Sequence, residues 1–392
     1  MDIILKSEKL SVGYGGQSLI DSIDISVRRG EILVLIGPNG AGKSTILKTL
    51  SKQIESVAGS VYLDDRDMRV LKESDISKQM SLLMTKHPSP EYMSVEEMVA
   101  TGRYPYTGRF GVLSDEDKKV VADTIRITDI EEIRDNDFNR ISDGQRQRVM
   151  LARALCQEPE VLIMDEPTSF LDIHHKIKLL SILKRMVREK NIAVIMSLHE
   201  LDLAIKCADK VICVANGQID RYGTVDEIFG NERTDKNGTG DESIVDGENC
   251  LYNNYIEQLY GVESGTFINE YGSVELEKIV GQPEVFVIGG GGSAIPLYRR
   301  LQREGIPFAA GVIHKNDLEY PVAKALASVV IEQGSFDRIE DENIKRAKDI
   351  ISACSKVYCT VEKWGEMNMK NKELAEFAGE KMQTEKLGLQ ER

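Results

Sequence analysis

The sequence predicts an α/β protein built from two doubly wound units, and three observations predict it. Apolar runs of strand character alternate with helical stretches along most of the chain. Two of those runs pass through glycines straight into a helix, "EILVLIGPNGAGKSTILKTL" at 31–50 and "VFVIGGGGSAIPLYRRL" at 285–301. Between them "GNERTDKNGTGDESIVDGEN", 230–249, is polar, acidic and poor in core-forming residues, so it reads as a solvated loop. A length of 392 residues also exceeds what one core usually supports.

Taken in order, "EILVLIG", "EVLIMDE", "IAVIMSL" and "KVICVA" read as strands, and 43–53, 142–156 and 173–190 as helices. After the loop "YIEQLYGV" resumes a helix, and "VFVIGG", "FAAGVIH", "SVVIEQ" and "KVYCT" suggest a second, smaller sheet over 281–362. The last stretch, 363–392, is charged and reads as a surface helix or tail. Lys and Arg total 50 against 64 Asp and Glu, a net charge of −14, which argues against a surface built to neutralise nucleic-acid phosphates. Cys156, Cys207, Cys213, Cys250, Cys354 and Cys359 show no metal-type pairing, and "MDIILKSEKL" lacks the apolar core of a secretory signal. Reduced cysteines in the cytoplasm are the expectation. The longest uncharged apolar stretch, 285–298, falls short of the roughly 18 residues that span a bilayer, so membrane association would come through a partner.

The pattern G-x-x-x-x-G-K-[ST] fits Gly37, Gly42, Lys43 and Ser44, with a strand before it and a helix after. N–H groups at the positive end of a helix favour phosphate, Lys43 can reach β- and γ-oxygens, and the Ser44 hydroxyl can ligate Mg²⁺. The turn formed by Gly37, Pro38, Asn39, Gly40, Ala41, Gly42, Lys43, Ser44 and Thr45 is therefore read as a triphosphate cradle. In "VLIMDEPTSFLD", 161–172, Asp165 and Glu166 close a hydrophobic strand. In a parallel sheet they would flank the cradle, Asp165 holding Mg²⁺ through water and Glu166 polarising the attacking water. Two acids at a strand end also serve simply as solvated ends or caps.

Between these motifs, "ISDGQRQRVMLARAL", 141–155, sets Ser142, Asp143 and Gly144 before an arginine-rich helix. Here the chain resembles the ATP-binding-cassette (ABC) ATPases, over about 1–230 and again over 250–280, with five motifs in family order. The resemblance implies a P-loop NTPase of ABC type over 1–280, with a helical subdomain at about 85–158 and ATP and Mg²⁺ as ligands. It implies that Tyr14 stacks on adenine, and that Ser142, Asp143, Gly144 and Gln145 form a signature loop. That loop would reach ATP held by the other subunit of a head-to-tail homodimer. Asp172 would communicate between the two sites and His199 would contact the γ-phosphate.

Two positions depart from the family pattern. Thr85 stands where a glutamine usually touches Mg²⁺ and the attacking water. Asp143 stands where the signature usually has glycine, so it must point outward or pair with a base such as Arg146. "VEEMVATGRYPYTGRFG", 95–111, resembles the helical subdomain of importers for iron–siderophore, haem and cobalamin. That implies an ATPase on the inner face of the cell membrane, driving an integral membrane permease served by an extracytoplasmic solute-binding protein. The alternative is a non-transport ABC ATPase acting on a soluble partner.

The second glycine turn offers G-x-G-x-x-A as Gly289, Gly291 and Ala294, with Asp317 just past the next strand. That is the spacing at which an acid meets ribose in a dinucleotide fold. A small Rossmann-like domain sensing an anionic or nucleotide ligand is one expectation. A tight turn serving helix–sheet packing is the other. A hydride-transfer enzyme built on this turn would need an acid–base set that the segment does not display.

Overall fold

The computed structural model describes residues 2–84, 90–108, 111–169, 171–229, 255–262, 267–268 and 273–383. Its contacts divide the chain into Met1–Phe229 and Gly230–Arg392. Among the described residues no helix is long and apolar enough to cross a membrane.

The first unit is built on a six-stranded sheet in the order Gln218–Thr224, Lys210–Ala215, Ile32–Ile36, Ala193–Ser197, Val161–Met164, Met80–Leu83. All neighbours run parallel except the first pair. Its central strands are buried on both faces, which is why they read as continuous apolar runs. Leu33, Leu35, Ile163 and Ile195 face a core shared with the helix Lys43–Leu50 and a largely antiparallel sheet formed by Ile3–Tyr14, Gln17–Ile23 and Ala58–Leu63. Three further helices, Val95–Ala100, Asp115–Ile127 and Asp143–Cys156, start at Ser94, Ser114 and Ser142. Each serine forms a reciprocal capping box with the acid or amide three residues on, so the S-x-x-[DEQ] spacing fixes where each begins. Arg103 fastens this helical layer, donating to Asp117 and Glu158 at 2.8 Å each and to the Cys156 carbonyl.

The second unit carries a parallel sheet in the order Val329–Gln333, Phe308–His314, Val285–Ile288, Lys356–Cys359, Met382–Gln383. Side chains alternate across it. Val285 and Val287 pack with the helices Ile295–Arg303 and Tyr320–Leu326, while Phe286 and Ile288 pack with Asp341–Ala353 and Asn371–Ala378.

Two expected boundaries move. The described residues of 255–280 fall with the second unit rather than the first: Ile268 shares a core with Val285 and Tyr298, and Glu275 pairs with Arg299. The described part of 363–392 is not simply a charged surface tail, because Leu374 is fully buried and Met382–Gln383 adds a strand to the sheet. The loop 230–249 lies outside the described residues. Cys156, Cys207, Cys213 and Cys354 are buried and Cys359 partly so, and burial pushes the Cys156 and Cys207 thiols up to about 12.

Candidate functional site

At Gly37 and Gly42 the first glycine turn has contacts that leave no room for a side chain. A Cβ at Gly37 would stand 2.0 Å from the Val214 carbonyl oxygen, and Gly42, at φ 106, occupies the left-handed region where the helix begins. Lys43 is 6% exposed and folds back over the turn, its Nζ donating to the carbonyls of Gly37 at 2.7 Å and Pro38 at 2.9 Å. Burial pushes its ammonium pKa down, while the Glu166 and Asp165 carboxylates oppose that shift.

The acid pair stands where the parallel sheet predicts. Ser44 Oγ donates to Asp165 Oδ1 at 3.0 Å, so the cradle and the end of the neighbouring strand are directly joined. Glu166 sits at φ 49, a left-handed backbone that non-glycine residues seldom adopt. Both its carboxylate oxygens are engaged, Oε1 with His199 Nε2 at 2.6 Å and Oε2 with the Ser169 hydroxyl at 3.1 Å. The result is a carboxylate held in one orientation by an imidazole, the arrangement a general base needs. Tyr14 is 56% exposed, with its hydroxyl 3.4 Å from Thr45 Oγ1 at the far side of the same turn.

The signature segment lies at the start of the helix Asp143–Cys156 and meets other elements. Ser142 and Gln145 cap one another, and Asp143 pairs with Arg146 at 2.7 Å, the second of the two outcomes expected for it. Gly144 abuts the imidazole of His175, which Asp172 holds by its helix cap. Thr85 lies outside the described residues.

Sequence reasoning missed three residues. Ser197 links the two acids, donating to Asp165 Oδ1 at 2.8 Å and accepting from the Glu166 N–H at 2.9 Å. Its only sequence signal is a small hydroxyl ending the strand two residues before His199. Gln147 donates to the buried Pro167 carbonyl, tying the signature helix to the acid segment. Glu200 accepts from Thr168 and pairs with Lys176.

Of the two expectations for the second glycine turn, the geometry favours packing over an anion site. The Gly291 N–H donates to both carboxylate oxygens of Asp317, at 3.0 and 2.9 Å, and the Ala294 N–H donates to Glu319 Oε2 at 3.2 Å. A Cβ at Gly289 would stand 2.5 Å from that same oxygen. Glu319 is wholly buried, and burial, with the Asp317 carboxylate beside it, pushes its carboxyl up to about 7. An incoming phosphate would find its donors taken and two acids in its place. The turn is therefore no anion cradle, and Asp317 serves the turn rather than a ribose.

An α/β sheet that ends a lysine-bearing glycine turn beside an acid pair defines a P-loop nucleoside triphosphatase. Residues 20–169 match the ABC transporter family and 308–388 the MJ0874 family. An uncharacterised ABC transporter ATP-binding protein of Methanocaldococcus jannaschii is 37% identical over 309 residues, 79% of this chain and 99% of that one. The iron(3+)-hydroxamate import ATP-binding protein of Bacillus subtilis is 38% identical over 57% of this chain and 84% of its own. A cobalamin import ATP-binding protein of Halobacterium salinarum is 30% identical over 332 residues, 85% of this chain and 79% of that protein. The structure of cbiO1 from Clostridium perfringens, part of the transporter complex cbiONQ, superposes with a TM-score of 0.53 at 27% identity, covering 58% of this chain and 91% of that one. The chain belongs to the family of ABC transporter ATP-binding proteins, and its chemistry is ATP hydrolysis.

Proposed function

We propose that the chain is the ATPase subunit of an importer for a ferric siderophore, haem or cobalamin-type solute, working peripherally on the cytoplasmic face of a separate membrane permease. One observation carries the reading: a cleft of about 690 Å³ between the edge strand Met80–Leu83 and the helical layer, lined in part by Met80, Leu82, Met84, Thr101, Arg153 and Gln157. The strand at its wall pairs with Val161–Met164, which ends at Asp165 and Glu166. A permease segment seated there would press on the element next to the hydrolytic acids. Relatives named for import of iron hydroxamate and cobalamin support this solute class. An extracytoplasmic binding protein would deliver the solute.

In this reading the turn 37–45 cradles the triphosphate and Lys43 neutralises its terminal oxygens. Tyr14 offers its exposed ring to adenine. Ser44, Asp165 and Thr85 bring oxygen ligands for Mg²⁺, and hydroxyl and carboxylate oxygens suit a hard cation. Bound there, Mg²⁺ would offset charge on the β- and γ-phosphates. Glu166, oriented by His199, polarises water for in-line attack. Ser142, Asp143, Gly144 and Gln145, with Asp172, act on the ATP of a second copy in a head-to-tail homodimer.

The test is reconstitution with a genomically adjacent permease. Solute-dependent stimulation of phosphate release is expected for one of ferric hydroxamate, haem or cobalamin. Gln53→Trp, which intrudes on the cleft, should abolish stimulation and leave the basal rate unchanged. Stimulation by a soluble partner instead, unaffected by Gln53→Trp, would favour the non-transport alternative.

A further inference from the structure

The helix Ile173–Lys190 opens with two adjacent histidines that the hydrolytic machinery does not use. Asp172, His174 and His175 each offer a ligand atom, and these atoms lie within 4.8 Å of one another. His175 is fixed from two sides: its Nδ1 lies 2.8 Å from Asp172 Oδ1, and its ring lies against Gly144, where a Cβ would come within 3.0 Å. His174 stands exposed beside it, the rings edge to face with centroids 5.3 Å apart. Asp172 uses only Oδ1 in the cap, and His174 makes no hydrogen bond among the described residues, so both retain coordinating capacity.

We propose that Asp172, His174 and His175 form a transition-metal site, selective for Zn²⁺, Ni²⁺ or Cu²⁺, that clamps the signature segment against the start of this helix. Two imidazoles and one carboxylate, with water completing the sphere, match the ligand preferences of these borderline ions rather than of Mg²⁺ or Ca²⁺. The positive end of the helix opposes any cation, and the Asp172 charge offsets it, so the affinity belongs in the micromolar range rather than that of a structural zinc site. A metal on His175 would hold that ring against Gly144, joining two segments that handle nucleotide in the proposed function. The expected consequence is slowed hydrolysis. The clamp rests on that functional reading, whereas metal binding does not.

Nucleotide-free, full-length protein in excess Mg²⁺ is titrated with Co²⁺ as a spectroscopic probe, and the Co²⁺ is then displaced by Zn²⁺. The wild type should show visible d–d bands that His174→Ala loses, with Zn²⁺ binding weakened at least tenfold. His174→Cys should restore binding and add a sulfur-to-cobalt charge-transfer band. Micromolar Zn²⁺ should slow wild-type phosphate release and leave His174→Ala unaffected. Co²⁺ spectra identical in wild type and His174→Ala would overturn the site. Equal Zn²⁺ inhibition of both proteins would overturn the clamp. Absence of hydrolysis in every form would instead count against the ATPase roles, with the Co²⁺ spectra still reporting on the site.

Discussion

The two glycine turns begin alike and end as opposites. Each follows a buried parallel strand and feeds a helix, and in each a Cβ at the first glycine would collide with a fixed neighbour, the Val214 carbonyl or the Glu319 carboxylate. At 37–45 the turn carries a buried lysine, and the helix it opens has no acid in its first turn. At 289–294 the backbone donors are taken by two carboxylates from the loop after the next strand. Glycines set the path of the backbone. The charge supplied by residues elsewhere decides whether that path holds an anion or fills itself.

The hardest way to break the comparison is to remove the chemistry from the first turn's partner. Glu166→Gln should retain Mg-ATP binding and lose about 10²–10⁴-fold in hydrolysis, the usual size of a general-base contribution. Nucleotide affinity by fluorescence and turnover by phosphate release separate the two, and near-normal turnover would remove Glu166 from its role. Lys43→Ala should weaken binding itself, because in the proposed function Lys43 would already touch the phosphates in the ground state.

The next largest effect tests the second turn. Glu319 titrates near 7 when folded, against an ordinary 4.5. Between those values the folded state keeps a proton that the unfolded chain releases, so the second unit loses stability as pH rises through that window, and the loss is complete above about 7. The cost is about 3 kcal/mol at pH 8, from the two pKa values. Glu319→Gln keeps the shape and removes the charge. The opening free energy of Phe308–His314 in the full chain, from amide exchange corrected for the intrinsic base-catalysed rate, should rise at pH 8 in that variant and lose its slope between 4.5 and 7. An unchanged slope would mean that the carboxyl is solvated.

What the sequence made legible follows the same division. Parallel strands buried on both faces announce themselves as apolar runs, and the lysine, hydroxyl and acid pair of the first turn lie in compact motifs. The antiparallel sheet at the N-terminus was not legible: Ile3–Tyr14 mixes Lys6, Glu8 and Lys9 with its apolar residues, carries register shifts, and pairs with Ala58–Leu63, far along the chain. Glu319 was missed because only the fold brings it to Ala294, 25 residues away in sequence. The helix Asn371–Ala378 buries only the polar Asn371 and the apolar Leu374 and Ala378 among its charges, so its sequence reads as surface.

A smaller effect separates neighbouring glycines of the second turn. Gly289→Ala would push a methyl into Glu319 Oε2 and the Ala294 Cβ, at 2.5 and 2.7 Å, and should cost about 1–3 kcal/mol as overpacking does. Gly290→Ala meets nothing closer than Asn368 Nδ2 at 3.7 Å and should be close to neutral. Thermal unfolding of both variants checks this. Equal losses would show that the approach of Glu319 does not set the cost at Gly289.

The smallest expected effect concerns a carboxylate in the first unit. Asp143 places a negative charge at the signature segment, which invites comparison with the interference that Asp317 and Glu319 cause in the second turn. Its setting differs in two respects. The side chain is 74% exposed, so water screens it, and Arg146 pairs with it at 2.7 Å. Arg146 is also anchored without it, through the carbonyls of Asn139 and Ile141 and the face of Phe138. Asp143→Gly therefore leaves the arginine in place and removes only a screened charge, so ATPase rate and nucleotide affinity should stay within about threefold of wild type. Steady-state kinetics at two ionic strengths check it. A rise of tenfold or more that fades with salt would mean that Asp143 repels nucleotide, and that an arginine partner does not spare an anion site from a neighbouring acid.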